Sequence, residues 1–141
     1  MLVFISLILI SAVALTFLAL NTFNLTGNAI LQSEFSIGKN LTGELSITID
    51  EGDKLNRNIP ILISLTKNDI VVKAETLTFE KFVELSGSKT QPINSFYKTP
   101  ENFVINLENY FQFTFNESGE YKLLFSVLEL DINIEKTFLV V

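Results

Sequence analysis

No charged side chain occurs before Glu34, so the chain opens on thirty-three uncharged residues. Residues 1–20 are apolar apart from Ser6, Ser11 and Thr16, and no Pro or Gly interrupts them. Twenty residues at about 1.5 Å each make a helix of about 30 Å, the thickness of a bilayer core. In lipid, a continuous helix satisfies every backbone polar group within its own segment. The expectation is an apolar helix over residues 1–22, a polar stem over 23–30 and one compact domain over 31–141. Three roles for the helix compete. Ala12-Val13-Ala14 has the small-x-small spacing of a signal cleavage site, but no basic residue precedes it. Cutting there would leave residues 15–20 as an apolar stub. A permanent membrane anchor fits the length better, although Lys39, the first cation, is too isolated to fix orientation. In the third role the helix packs against copies of itself. Ala12 and Thr16, four apart, then lie where neighbouring helices approach closely.

The stretch LVFISLILISAVALTFLALNT, followed by AILQ, resembles the N-terminal helix of archaellins and related archaeal type IV pilin-like subunits. The resemblance implies a β-sandwich head on each subunit and a filament core of bundled helices. The glycine-rich start of mature archaellins is absent.

All ten basic and sixteen acidic residues follow this segment, so the whole net charge of −6 falls on the remaining chain. An acidic surface argues against a nucleic-acid partner, because phosphate binding needs clustered Lys and Arg. It suits a solvated extracellular domain. The chain has no Cys, which excludes disulfides, thiol nucleophiles and thiolate metal sites. It also has no His, which removes the usual general base and the commonest metal ligand. An enzyme would have to work with carboxylates, Lys, Tyr or Ser alone. The expectation is a non-enzymatic protein without a cofactor.

Beyond the stem the pattern alternates. Leu41, Leu45, Ile47 and Ile49 share one face of a strand, as do Ile59, Ile61, Ile63 and Leu65 of the next. Pro60 stands at a strand start, where its missing N–H is tolerated. KND then turns the chain into IVVKAETLT as a hairpin. Phe79, Phe82 and Val83 break the alternation at helical spacing, predicting a short helical turn over one end. GSKTQPINSFYKTPEN reads as a surface loop. Ile105, Leu107, Phe111, Phe113 and Phe115 resume the alternation inward, and ESGEYKLLFSV and LDINIEKTFLVV close the fold as paired strands. Seven or eight short strands without a βαβ rhythm predict a mainly β protein, an antiparallel β-sandwich.

In SGEYKLLFSV, Gly119 precedes Tyr121 at a strand start, which resembles the tyrosine corner of immunoglobulin-like domains. FSIGKNLTGELSI, a Gly turn before a strand, strengthens the likeness to cysteine-free immunoglobulin-like and fibronectin-like modules. The resemblance implies a buried Tyr121 ring with its hydroxyl bonded to upstream backbone.

Asn24-Leu25-Thr26, Asn40-Leu41-Thr42 and Asn116-Glu117-Ser118 are N-glycosylation sequons. Asn24 lies too near the apolar segment to be reached, which leaves Asn40 and Asn116 as candidates. Asp50, Glu51 and Asp53, beside Gly52 in a turn, are a weak Ca²⁺ candidate without EF-hand spacing. Glu129 and Asp131 are candidates to converge with them; solvated turn charges are the plainer reading. Tyr110, Phe111, Phe113 and Phe115 invite a stacking platform, but alternation sends the three Phe side chains inward. No carboxylate pair stands out for glycoside cleavage.

The expected role is structural or adhesive: an immunoglobulin-like domain outside the membrane, contacting a cell-envelope protein or glycan. The alternative is a pilin-like or archaellin-like surface filament, self-associated through the N-terminal helix.

Overall fold

The computed structural model describes residues 25–53, 56–88 and 96–141. The expected helix over 1–22, with Ala12 and Thr16, lies outside them, as does Asn24. Among the described residues the strands are β1 (Leu25–Leu31), β2 (Glu34–Phe35), β3 (Gly43–Ile49), β4 (Pro60–Lys67) and β5 (Ile70–Thr78), followed by β6 (Glu101–Asn106), β7 (Gly119–Val127) and β8 (Ile132–Val140). Two short helices, α1 (Phe79–Leu85) and α2 (Leu107–Tyr110), and a 3-10 turn at Leu128–Leu130 complete the list of elements.

The alternating positions become the core. Leu41, Leu45, Ile47 and Ile49 are fully buried, as are Ile61, Ile63 and Leu65. Each such side chain contributes about 1.5–3 kcal/mol on burial. The strands form two sheets, β1-β3-β6 and β2-β8-β7-β4-β5. The pairing is antiparallel except at β2, which runs parallel to β8 through Glu34 and Phe35. The expected all-antiparallel sandwich therefore needs one correction. The chain crosses from one sheet to the other between β1 and β2, so the second strand enters beside β8 in the same direction. Three strands facing a sheet that holds β8, β7 and β4 in its middle give an immunoglobulin-like arrangement.

β4 and β5 meet through a two-residue loop. Asn68 and Asp69 have φ of 50° and 62°, the positive values of a type I′ turn. α1 is capped by Thr78, whose hydroxyl accepts from the Lys81 N–H, and it buries Phe79, Phe82 and Val83.

Two expectations fail. The segment read as stem supplies β1, paired with β3 from Leu25 opposite Ile49 to Leu31 opposite Gly43. Its inward positions are Leu25, Gly27, Ala29 and Leu31. A Cβ on Gly27 would stand 2.9 Å from Ile134 Cδ1 and 3.2 Å from Ile132 Cγ2, so glycine lets β1 lie close over β8. The strand expected through residues 104–115 is broken by α2. The Asn106 side chain caps it, accepting from the N–H groups of Glu108 and Asn109.

β5 ends its sheet and points charge inward. Lys73 lies opposite Leu65 and Glu75 opposite Ile63, with a β-bulge between Leu65 and Thr66. The Lys73 ammonium sits 5.1 Å from the Phe111 ring centroid and 3.9 Å from Glu75 Oε1.

Candidate functional site

The most constrained part of the molecule is the corner where β7 begins. Gly119 enters the strand with φ of 140°, and a Cβ there would meet Lys67 Cε at 3.0 Å. Two residues later Tyr121 is buried, and its hydroxyl donates to the Glu117 carbonyl at 3.1 Å. This is the geometry of a tyrosine corner. The ring lies parallel to Phe138, centroids 6.0 Å apart, and edge-on to Phe115 at 5.1 Å. Phe115 also meets Phe35 at 5.1 Å and Phe138 at 5.7 Å, so one aromatic cluster links β2, β7 and β8.

Lys67 folds over the outside of this cluster. Its ammonium lies 5.7 Å from the Tyr121 ring centroid and pairs with the Glu117 carboxylate. The hydrogen bond from Lys67 holds the Glu117 carboxyl below its ordinary value, and the same bond holds Lys67 above its own.

The corner also joins segments far apart in sequence. Residues 38–41 run beside 113–115: Gly38 N–H donates to the Phe115 carbonyl and Leu41 N–H to that of Phe113. Phe115 N–H returns a bond to Lys39, and the Thr114 hydroxyl donates to Asn40 Oδ1 at 2.7 Å. Asn40 and Asn116 are both exposed and are brought to one end of the sandwich. Beside Asn40 opens a groove of about 440 Å³ lined by Gln32, Glu34, Ser36, Lys39, Thr42 and Glu108, with Phe35 in its wall. A smaller hollow of about 340 Å³ shares Gln32 and Thr42 and continues to Glu44 and Asn106. The lining is dominated by amides, hydroxyls and carboxylates, groups suited to hydrogen-bonding a polar ligand.

The acidic candidates lie at the other end. Asp50, Glu51 and Asp53 follow β3, while Glu129 and Asp131 belong to the turn between β7 and β8. Among the described residues, no three carboxylates gather in a way that would hold a metal ion. The turn is organised by backbone bonds instead: Gly52 N–H to the Tyr97 carbonyl and Tyr97 N–H to the Asp53 carbonyl. Among the described residues Asp53 Oδ2 is buried there without a hydrogen-bond partner. Burial pushes the Tyr97 hydroxyl up, with Glu101 adding to the shift and Arg57 opposing it.

The aromatic run is not a platform. Phe111 and Phe115 are fully buried, and Phe113 and Tyr110 are partly so, packed against the core. Burial, then the nearby Glu75 charge, raises the Tyr110 hydroxyl. The groove and the 38–41 pairing had no local signal in the sequence, because their residues are joined only by the fold.

No family model matches the chain, and no curated protein matches it. Among solved structures it is similar to the CARDB domain of the PF1109 protein in complex with di-metal ions from Pyrococcus furiosus. The identity is 14% and the TM-score 0.44, covering 85% of this chain and 90% of that one. It is also similar to part of a beta-glucosidase from Listeria innocua in complex with glucose, at 11% identity and a TM-score of 0.48. That match covers 84% of this chain and only 16% of the glucosidase. These likenesses concern the fold alone.

Proposed function

We propose that the chain is a non-enzymatic surface protein whose apolar segment, residues 1–22, anchors an immunoglobulin-like domain outside the membrane. One observation carries the reading. β1 starts at Leu25 and pairs there with Ile49, at the end of the sandwich that bears the Asp50–Asp53 turn. Leu25 lies five residues beyond Leu20, a reach of at most about 18 Å. An anchored domain therefore stands with its acidic end towards the bilayer and its tyrosine corner outward. Asn40, Asn116 and the polar groove then face the surroundings, where glycosylation and contact with an envelope protein or glycan take place. The role is structural or adhesive.

The same short connection also favours a second reading, a pilin-like subunit whose heads are held at fixed distance from a bundle of helices. Release from native cells separates the two. An anchored protein resists salt and carbonate washes and needs detergent, whereas a filament subunit is released by mechanical shear. Recovery of a wash-soluble protein beginning at Leu15 would contradict both.

A further inference from the structure

The outer edge of β5 pairs with no described residue, yet it exposes a run of apolar side chains. Ile70, Val71 and Val72 are 69%, 59% and 42% exposed. We propose that a second copy of this chain pairs with that edge, β5 against β5, joining two five-stranded sheets into one.

The order of charges selects this partner. Lys73 and Glu75 lie on the core side of β5, opposite the buried Leu65 and Ile63, and Ala74 between them is exposed on the other side. An antiparallel neighbour that keeps the two core sides together, and pairs only with the regular strand beyond the bulge, sets Lys73 against its residue 73, 75 or 77. The first register puts Lys against Lys. The third puts Glu75 against Glu75 of the partner subunit. Like charges directly opposite one another oppose pairing. The remaining register has its two-fold axis at Ala74 and sets Lys73 against Glu75 of the partner subunit, and the reverse. The contact is self-complementary, as a two-fold interface must be.

The bulge at Val72 and the inward charges guard the edge against other strands, which would meet them without matching groups. Within one chain Lys73 already lies 3.9 Å from Glu75 Oε1, and in the selected register each also meets an opposite charge across the axis. The bulge shifts the alternation before Lys73, so the regular pairing runs over residues 73–75 of each copy and brings Val72 beside Thr76 of the partner subunit. The pairing uses only the sandwich, so it is independent of whether residues 1–22 lie in lipid or in a bundle.

The absence of Cys gives a direct test in the full chain, extracted in detergent. On-axis residues of antiparallel strands have Cα atoms about 4.5–5.5 Å apart, within disulfide range. Ala74→Cys under mild oxidation should form a covalent dimer at least about five times more than Thr137→Cys, on the exposed face of β8. In the Ala74→Cys background, Lys73→Glu or Glu75→Lys should each lower the yield roughly five-fold, and the double reversal should restore it. Equal cross-linking at positions 74 and 137 overturns the proposal whatever the reversal variants do. A double reversal that keeps its β circular-dichroism spectrum but fails to restore the dimer overturns the charge-selected register.

Discussion

At the corner where β7 begins, two distant loops are tied together by backbone bonds and by Thr114 to Asn40, and Tyr121 closes the corner locally onto Glu117. Five aromatic rings, Phe35, Phe113, Phe115, Tyr121 and Phe138, pack beneath them. At the opposite end the turn after β3 is held by two backbone bonds with Tyr97, and the carboxylate of Asp53 keeps a buried oxygen without a partner among the described residues. One end satisfies its polar groups over an aromatic floor. The other carries acidic side chains on a turn that leaves a buried acceptor unmatched. The contrast teaches which end can present a fixed surface: a groove and two exposed asparagines keep their spacing only where the underlying backbone is over-determined.

The largest break in the contrast comes from Phe115, fully buried and in contact with four of the other rings. Phe115→Ala should lower unfolding stability by about 3–5 kcal/mol, read from the urea midpoint. Tyr121→Phe keeps the ring and removes only the bond to Glu117, so the expected loss is about 1 kcal/mol. The acidic end should respond in the other direction. Asp53→Asn neutralises the side chain that carries the buried oxygen, and stability should stay level or rise by up to about 1 kcal/mol. A loss of 2 kcal/mol or more there would mean that both ends are equally determined.

The smallest effect is electrostatic. Glu117 titrates below its ordinary 4.5 and Lys67 above its ordinary 10.5, each because of the hydrogen bond between them. Their pairing therefore contributes fully between those values. The contribution is lost as pH falls through the lowered Glu117 value, and again as pH rises through the raised Lys67 value. The pair is at the surface and Glu117 is largely exposed, so the gain is modest and screened by salt. The stability difference between parent and Lys67→Met should narrow at both extremes of pH.

Much of the corner was legible because its signals are local. Gly119 and Tyr121 sit two apart at a strand start, and Asn68-Asp69 announce a tight hairpin between alternating runs. The α1 turn was equally plain from Phe79, Phe82 and Val83. β1 was hidden by its own solution to packing. The inward set Leu25, Gly27, Ala29 and Leu31 has period two, but Gly27 contributes no apolar side chain and reads as a turn. α2 was hidden by parity: one helical turn from Leu107 to Phe111 advances four residues, so the apolar positions stay odd-numbered on both sides of it, with Asn109 the one gap. The parallel β2–β8 contact spans only two residue pairs and leaves no pattern. The groove beside Asn40 is formed by Gln32 before β2, by β2, by the loop after it and by α2, which only the folded chain assembles.

The central claim is orientation: acidic end towards the membrane, tyrosine corner away from it. Because the chain has no Cys, single cysteines at Glu120, the second residue of β7, and at Glu129, at the acidic end, can be labelled individually on intact cells. With a membrane-impermeant maleimide, Glu120→Cys should react on intact cells as fast as it does after detergent extraction. Glu129→Cys should react more slowly on cells than after extraction. Labelling of Glu120→Cys only after lysis, or equal protection of both positions on intact cells, would contradict the account.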